Sequence, residues 1–331
     1  MFEGKNILVT GASGLIGYNL IKRLMQEENV SIYALGRSVS KMEQTFDEFA
    51  SAVNLHLCEY GQAIAHLDEY PKFDYIYHAA GPMEPDIVVN RPVDVIEPNI
   101  IDLHTILEHV VRMKQSRHDC RVIIFSSVTV YQNNTDHDLI VSEADTNSGE
   151  ALNKPKVSYS ESKRMCEVMA QAYVKQYGID VVIARFSTVY GPTKNIPQTA
   201  FYSFIQKALN GEDIILNGVG LPRRDNIYVD DAISGLLTIA EKGIIGEAYN
   251  ISSNRELGNF MAVDDIAKII QTVAQKEFGI QMSVIVPPFK NRQPGLVLDN
   301  SKLSQSGWRV KFSMTDGVVT TMKKIIYFLK L

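Results

Sequence analysis

Apolar residues recur along this chain in two alternating rhythms. Short dense runs, "KNILVTG", "VSIYALG", "LHLCEYG" and "FDYIYHAAG", read as buried strands. Between and after them lie stretches with helical spacing, such as "LIGYNLIKRLMQEEN" and "PNIIDLHTILEHVVRMKQ". "RVIIFSSVTVY" is a further strand, ending in hydroxyl residues. "VSYSESKRMCEVMAQAYVKQYG" follows as a helix with Gly178 as its stop. "IDVVIARFSTVYGP" is again a strand, closed by Gly191 and Pro192. Strands and helices alternating at these lengths predict an α/β fold: a parallel sheet covered on both faces. Such sheets bind ligands beyond the carboxyl ends of their strands, so the residues after each strand carry the chemistry.

The pattern loosens from about Gly191. "TAFYSFIQKALNGEDIIL" reads as a helix and a short strand, "NIYVDDAISGLLTIAEKG" as a helix and "GEAYNIS" as a strand. "AVDDIAKIIQTVAQKEFG" is another amphipathic helix, and "LDNSKLSQSGW" begins one more. The Asp230–Asp231 and Asp264–Asp265 pairs fall at helix starts, where carboxylates suit the dipole, and Asp299 is placed as a cap. A chain of 331 residues exceeds the size at which a single core stops growing. The expectation is therefore a larger domain over 1–191, rejoined by 226–252, and a smaller α/β lobe over 192–331.

Composition narrows the function classes. The chain is 45% hydrophobic and 21% charged, with a net charge of -5, which excludes the basic footprint of a nucleic-acid partner. No apolar run approaches the ~20 residues of a membrane span. "MFEGKNILVTGASG" is too polar for a signal peptide, so a cytoplasmic location is expected. Cys58, Cys120 and Cys166 are scattered, which fits neither a disulfide framework nor a metal site. His78 is expected to pack near the sheet edge rather than act in catalysis.

Four local patterns carry chemistry. In "VTGASGLIG", Gly11, Gly14 and Gly17 join a strand to a helix. There they let a pyrophosphate approach backbone N–H groups at the helix N-terminus. The second strand ends on Gly36 and Arg37 in place of the carboxylate that would meet the ribose of NAD. A guanidinium there can receive a 2′-phosphate or stack on adenine, so NAD and NADP both stay open. Tyr159 and Lys163 stand four residues apart on one helix face, an arrangement in which a cation can make a phenol's proton easier to remove. Ser158 and Glu161 fit a capping box that starts this helix. Finally, Ser126, Ser127, Thr129 and Tyr131 close a strand, where a hydroxyl can hold a substrate oxygen.

Taken with "YIYHAAG", "ARFSTVYGP" and "GVGLPRRDNIYVDDA", these motifs resemble the extended short-chain dehydrogenase/reductase family over nearly the whole chain, specifically its nucleotide-sugar epimerases, dehydratases and decarboxylases. The resemblance implies a Rossmann-type doubly wound parallel sheet for NAD(P) and a mostly C-terminal lobe for a nucleoside diphosphate sugar. It implies Tyr159 as catalytic base, Lys163 as its partner and Ser127 as the group holding the sugar hydroxyl. Gly11, Ser13, Gly14, Leu15, Ile16, Gly17, Arg37, Ala79, Ala80, Gly81, Asn99 and Phe186, with Tyr159 and Lys163, are the implied cofactor residues. Thr129, Thr188, Arg224 and Arg292 join Ser127 as implied substrate residues. A homodimer, and a place in polysaccharide assembly, are implied in the same way.

Departures from the family pattern matter as much. Val128 and Thr129 stand where dehydratases carry an acid pair and decarboxylases a glutamate. Thr188 replaces a substrate-binding asparagine, and Cys58 and Glu59 follow the third strand where an aspartate is usual. Epimerisation through a transient 4-keto sugar needs no group the chain lacks and is the leading expectation. Decarboxylation or 4,6-dehydration, NADPH-dependent reduction of a keto-sugar, and a non-catalytic dinucleotide-binding role remain as alternatives.

Overall fold

The computed structural model describes residues 1–131, 136–146, 149–216, 223–288 and 293–329. Seven strands form its largest sheet: β1 (Asn6–Thr10), β2 (Ser31–Gly36), β3 (Leu55–Glu59), β4 (Tyr75–His78), β5 (Arg121–Ser127), β6 (Asp180–Phe186) and β7 (Ala248–Ile251). Their spatial order is β7-β6-β5-β4-β1-β2-β3, and the sheet is parallel. The chain runs outward from β1 to β3, then returns to β1's other side with β4. That reversal is the switch point beyond which such sheets bind ligands. Val9 lies between Ala34 of β2 and Tyr77 of β4, so both neighbours of β1 end beside the glycine loop.

Helices on both faces explain why strands such as β5 are almost continuously apolar rather than alternating. Leu8, Leu35, Phe73, Ile76, Leu107, Val122, Ile124 and Ile183 form the main core, and Tyr33 meets Phe73 edge-on at 5.4 Å. Segment 97–102 is a π-helical turn, not the start of a regular helix, and Leu103–Gln115 continues it as α-helix.

The chain forms two compact units. One comprises 1–132, 146–185 and 236–249, and the other 133–145, 186–235 and 250–331. In the second unit, Thr188–Tyr190 separates from β6 and pairs in parallel with Asn226–Tyr228 of a strand over Arg223–Tyr228. Asn226–Tyr228 is therefore strand, and the helix expected from Asn226 starts at Val229 with Asp230 and Asp231 in its first turn. Leu139–Val141 pairs with Leu296–Leu298, which ties 133–145 to this unit. Asp264 and Asp265 sit in the first turn of the Val263–Phe278 helix. Asp299 accepts the Ser301 N–H at 2.9 Å, at the start of the Ser301–Gln305 helix, where Asn300 holds the cap position.

His78 does not lie near the sheet edge. It ends β4, the middle strand of seven, and is 1% exposed. Its Nε2–H donates to the Pro98 carbonyl at 3.0 Å, which leaves Nδ1 to accept from the Thr10 hydroxyl at 3.1 Å. The same Thr10 oxygen accepts the Ala79 and Ala80 N–H groups, each at 3.0 Å. One neutral imidazole thus joins the end of β1, the end of β4 and the π-turn. Burial, reinforced by the Lys163 charge, lowers its pKa to about 3. An unfolded chain protonates this ring near ~6.5, whereas the folded one resists until about 3, so the unfolded state holds more protons between those values. Stability from this group is complete above ~6.5 and is lost as pH falls toward 3. Urea unfolding at pH 7 and pH 5 should show that His78→Gln removes roughly 2 kcal/mol of the wild-type loss between those two conditions.

Candidate active site

The glycine loop is built by backbone proximity. Gly11 has a φ of +64°, and a Cβ placed on it would sit 2.7 Å from the Ala79 carbonyl oxygen. A Cβ on Gly17 would fall 2.3 Å from the Gly11 carbonyl oxygen. Gly14, by contrast, faces outward, with its nearest neighbour at 3.3 Å. It caps the Leu15–Leu24 helix without any side-chain bond, and no acidic residue stands in that first turn. The helix's first amides, which no helix satisfies internally, are thus presented at its positive end, as an anion requires. Ser13, Leu15 and Ile16 are part-exposed along this turn, and Ala79, Ala80 and Gly81 run beside it at the end of β4. These residues fit a dinucleotide pyrophosphate. Arg37 is exposed immediately after β2, where the ribose would lie.

Tyr159 and Lys163 are on the long helix Val157–Tyr177, and both are buried, at 8% and 5% exposed. The capping box expected from Ser158 and Glu161 does not form. The helix begins two residues earlier, with Lys156 at the cap, so Ser158 lies inside the first turn with its hydroxyl buried and unpaired. Glu161 instead accepts the backbone N–H of Glu150 at 3.0 Å. Gly178 ends the helix in the left-handed conformation, as expected.

Ser127 ends β5 and caps a short 3-10 turn, Val128–Val130, by accepting the Thr129 N–H at 3.3 Å. Thr129 itself points to solvent. Burial pushes the Tyr159 phenol above its ordinary value, and the hydrogen bond from Ser127 opposes it by favouring the phenolate. Burial also lowers the pKa of Lys163, whose ammonium donates to the Phe125 carbonyl at 2.8 Å. The lysine thus ties the helix to β5, and the Ser127 hydroxyl favours the charged form of the phenol.

Asn99, in the π-turn, is fully buried. Its Nδ2 donates to the Val95 carbonyl at 2.9 Å and to the Ser162 hydroxyl at 3.0 Å. Its Oδ1 has no partner and lies against Gly81, where an added Cβ would come within 3.0 Å. Cys166, one turn beyond Ser162, donates to the Asn99 carbonyl at 3.1 Å. The glycine loop, the β4 end, Asn99, Ser127, Tyr159 and Lys163 thus belong to one compact unit.

A family profile described as the NAD dependent epimerase/dehydratase family matches residues 7–252. The chain belongs to this family. Among the family's relatives, the trifunctional UDP-glucose 4,6-dehydratase/UDP-4-keto-6-deoxy-D-glucose 3,5-epimerase/UDP-4-keto-L-rhamnose-reductase of Arabidopsis thaliana is 28% identical over 97% of this chain. The match spans 47% of that plant protein, about half its length. The dTDP-glucose 4,6-dehydratase of Escherichia coli is 26% identical over 96% of this chain and 92% of its own. In fold, the chain is similar to the UDP-glucose 4-epimerase of Thermotoga maritima solved with UDP-glucose. That match has a TM-score of 0.78 at 22% identity and covers 98% and 99% of the two chains.

The remaining expected site residues belong to the second unit or fall outside the description. Phe186 is buried as the last residue of β6, Thr188 opens the next strand, and Arg224 is exposed on the Arg223–Tyr228 strand. Arg223, beside it, is already engaged with Asp138 and with the Phe260 ring. Arg292 lies outside the described residues. No local pattern in the sequence marks Thr10, His78 and Ser162 as partners of the site. A strand-ending threonine and histidine are legible there as buried polar residues, but their partners are not.

The loop geometry separates two glycines that look alike in sequence. Gly11→Ala should abolish measurable NAD binding by calorimetry, because its Cβ meets fixed backbone. Gly14→Ala should cost less than tenfold in affinity.

Proposed function

We propose that the protein is a nucleotide-sugar epimerase that works through a transient 4-keto sugar. NAD, held by the glycine loop, would supply the two-electron acceptor that takes hydride from the sugar carbon and returns it. Tyr159, as phenolate, takes the proton from the hydroxyl on that carbon, and later gives it back. Ser127 holds the same oxygen, and its bond to the phenol favours the charged form. Lys163 fixes the helix on which the base is carried. The observation that favours epimerisation over its rivals is the turn after Ser127, which offers Val128 and Thr129 and no carboxylate. Elimination of water needs an added acid and base, whereas inversion needs only the ketone to meet the reductant on its other face.

A second reading, 4,6-dehydration, draws support from the relatives, which include dTDP-glucose 4,6-dehydratases of Escherichia coli and Homo sapiens. Exposed Arg37 also keeps NADP in view, and with it reduction of a keto-sugar. Thr188, Arg224 and Arg292 are proposed as sugar and diphosphate contacts, the arginines because a guanidinium can bind phosphate oxygens in pairs.

We further propose a homodimer. Val93, Ile96 and Ile101 are exposed on 92–102, and Met165 and Val168 on the adjoining long helix. A second copy of this helical face would cover both groups.

Incubation with UDP-, dTDP-, GDP- and CDP-sugars should give a product of unchanged mass, and loss of water or CO2 would replace the epimerase reading. Tyr159→Phe should lower turnover by at least a thousandfold while NAD affinity stays within about threefold. Light scattering should report a dimer for the native protein and a monomer for Met165→Glu/Val168→Glu.

A further inference from the structure

We propose that Glu167 and Arg185 form a positioning pair that fixes Ser127 against Tyr159. The catalytic meaning of this pair rests on the function proposed above, but its geometry does not. Glu167 lies on the long helix one turn beyond Lys163, and Arg185 is the penultimate residue of β6. Both side chains are nearly buried, at 13% and 6% exposed. The guanidinium binds the carboxylate through two atoms, Nε to Oε1 at 2.9 Å and Nη2 to Oε2 at 2.6 Å.

The pair reaches both ends of the catalytic turn. Glu167 accepts from the hydroxyl of Ser126, the residue before Ser127. Arg185 donates through Nη1 to the Tyr131 hydroxyl at 2.9 Å, and its guanidinium lies 5.1 Å from that ring's centre. Tyr131 closes the Val128–Val130 turn that Ser127 opens. Two further groups of the long helix grip the same segment: Lys163 holds the Phe125 carbonyl, and Arg164 donates to the Val130 carbonyl at 2.9 Å. Ser127 thus lies between four fixed points, with Tyr159 carried on the helix that supplies three of them. A buried charge pair with bidentate geometry suits this task, because it tolerates little lateral movement.

The surroundings of Tyr159 set what a test must separate. Ser127 faces it from β5, and Cys166 from its own helix. Ile87, Val88 and Val95 pack on it from the segments before the π-turn. Lys163 interacts with Cys166 and Glu167 and faces His78 of β4. Changing Glu167 therefore alters the field at Lys163 as well as the position of Ser127, so two variants are needed. Glu167→Gln/Arg185→Met removes the pair without leaving one charge buried alone. Ser126→Ala/Tyr131→Phe removes its two grips and changes no charge.

Each is prepared with a difluorinated tyrosine at position 159, whose more acidic phenol titrates at milder pH, and followed by fluorine NMR. The NAD-loaded protein is used, and no sugar is needed. Both variants should raise the phenol's midpoint by about one pH unit, a tenfold change in its ionisation constant. A midpoint within about 0.3 unit of the parent in both would overturn the proposal. A rise confined to the Glu167→Gln/Arg185→Met variant would also overturn it, by tracing the effect to charge at Lys163. If that variant fails to fold by circular dichroism, the charge-neutral one decides. Because no turnover is read, an inactive sugar panel would count against the proposed function and leave this result standing.

Discussion

The candidate active site depends on how one helix face is held to one strand end. Along Val157–Tyr177, the residues that turn inward include Tyr159, Ser160, Ser162, Lys163, Cys166 and Glu167, a mostly polar set where a core helix would carry leucine and valine. Desolvating such groups is costly unless each finds a partner. Here Ser162 receives Asn99, Lys163 meets Phe125, Cys166 meets the Asn99 carbonyl, and Glu167 meets Arg185. Two of these partners, the Phe125 and Asn99 carbonyls, are backbone groups, so the bonds favour one register of the helix. A one-residue rotation would leave several buried polar groups unpaired, each at about 1–3 kcal/mol. Specificity of docking, more than gross stability, is what this face supplies.

The same constraint bears on the candidate catalytic residues. A lysine beside a tyrosine invites the view that its charge acidifies the phenol. In the fold the ammonium is desolvated and donates to the Phe125 carbonyl, and the Ser127 hydroxyl favours the charged form of the phenol. A cationic nicotinamide would add to that contact when NAD is bound. The lysine's bond to the Phe125 carbonyl also keeps helix and strand in step.

Much of this was legible in the sequence, and the reasons for the rest are physical. The strands β1 to β5, the glycine loop and the Tyr159 helix announce themselves through local periodicity and short spacings. Gly178 is visible as a stop because only a left-handed residue ends the helix there. The capping box failed because two residues at cap spacing do not determine which turn comes first. Ser158 was drawn inside the helix, where its hydroxyl is buried. Strand β6 looked continuous through Tyr190 because apolar density does not record a change of partner. The Thr10–His78–Pro98 chain and the Glu167–Arg185 pair join residues far apart in sequence, which single-chain patterns cannot connect.

The short Leu139–Val141 strand illustrates a different kind of constraint. Its partner, Leu296–Leu298, is made 157 residues later, from Leu139 to Leu296. A ribosome adding ~5–20 residues per second leaves this apolar triplet without its mate for on the order of ten seconds. During that interval it is an open edge able to capture another nascent chain. Asp136 and Asp138 ahead of it, with Glu143 and Asp145 behind, place like charges on both flanks and disfavour such capture. The same border is then taken up by the native fold, where Asp138 pairs with Arg223 and Glu143 accepts the Asn250 N–H.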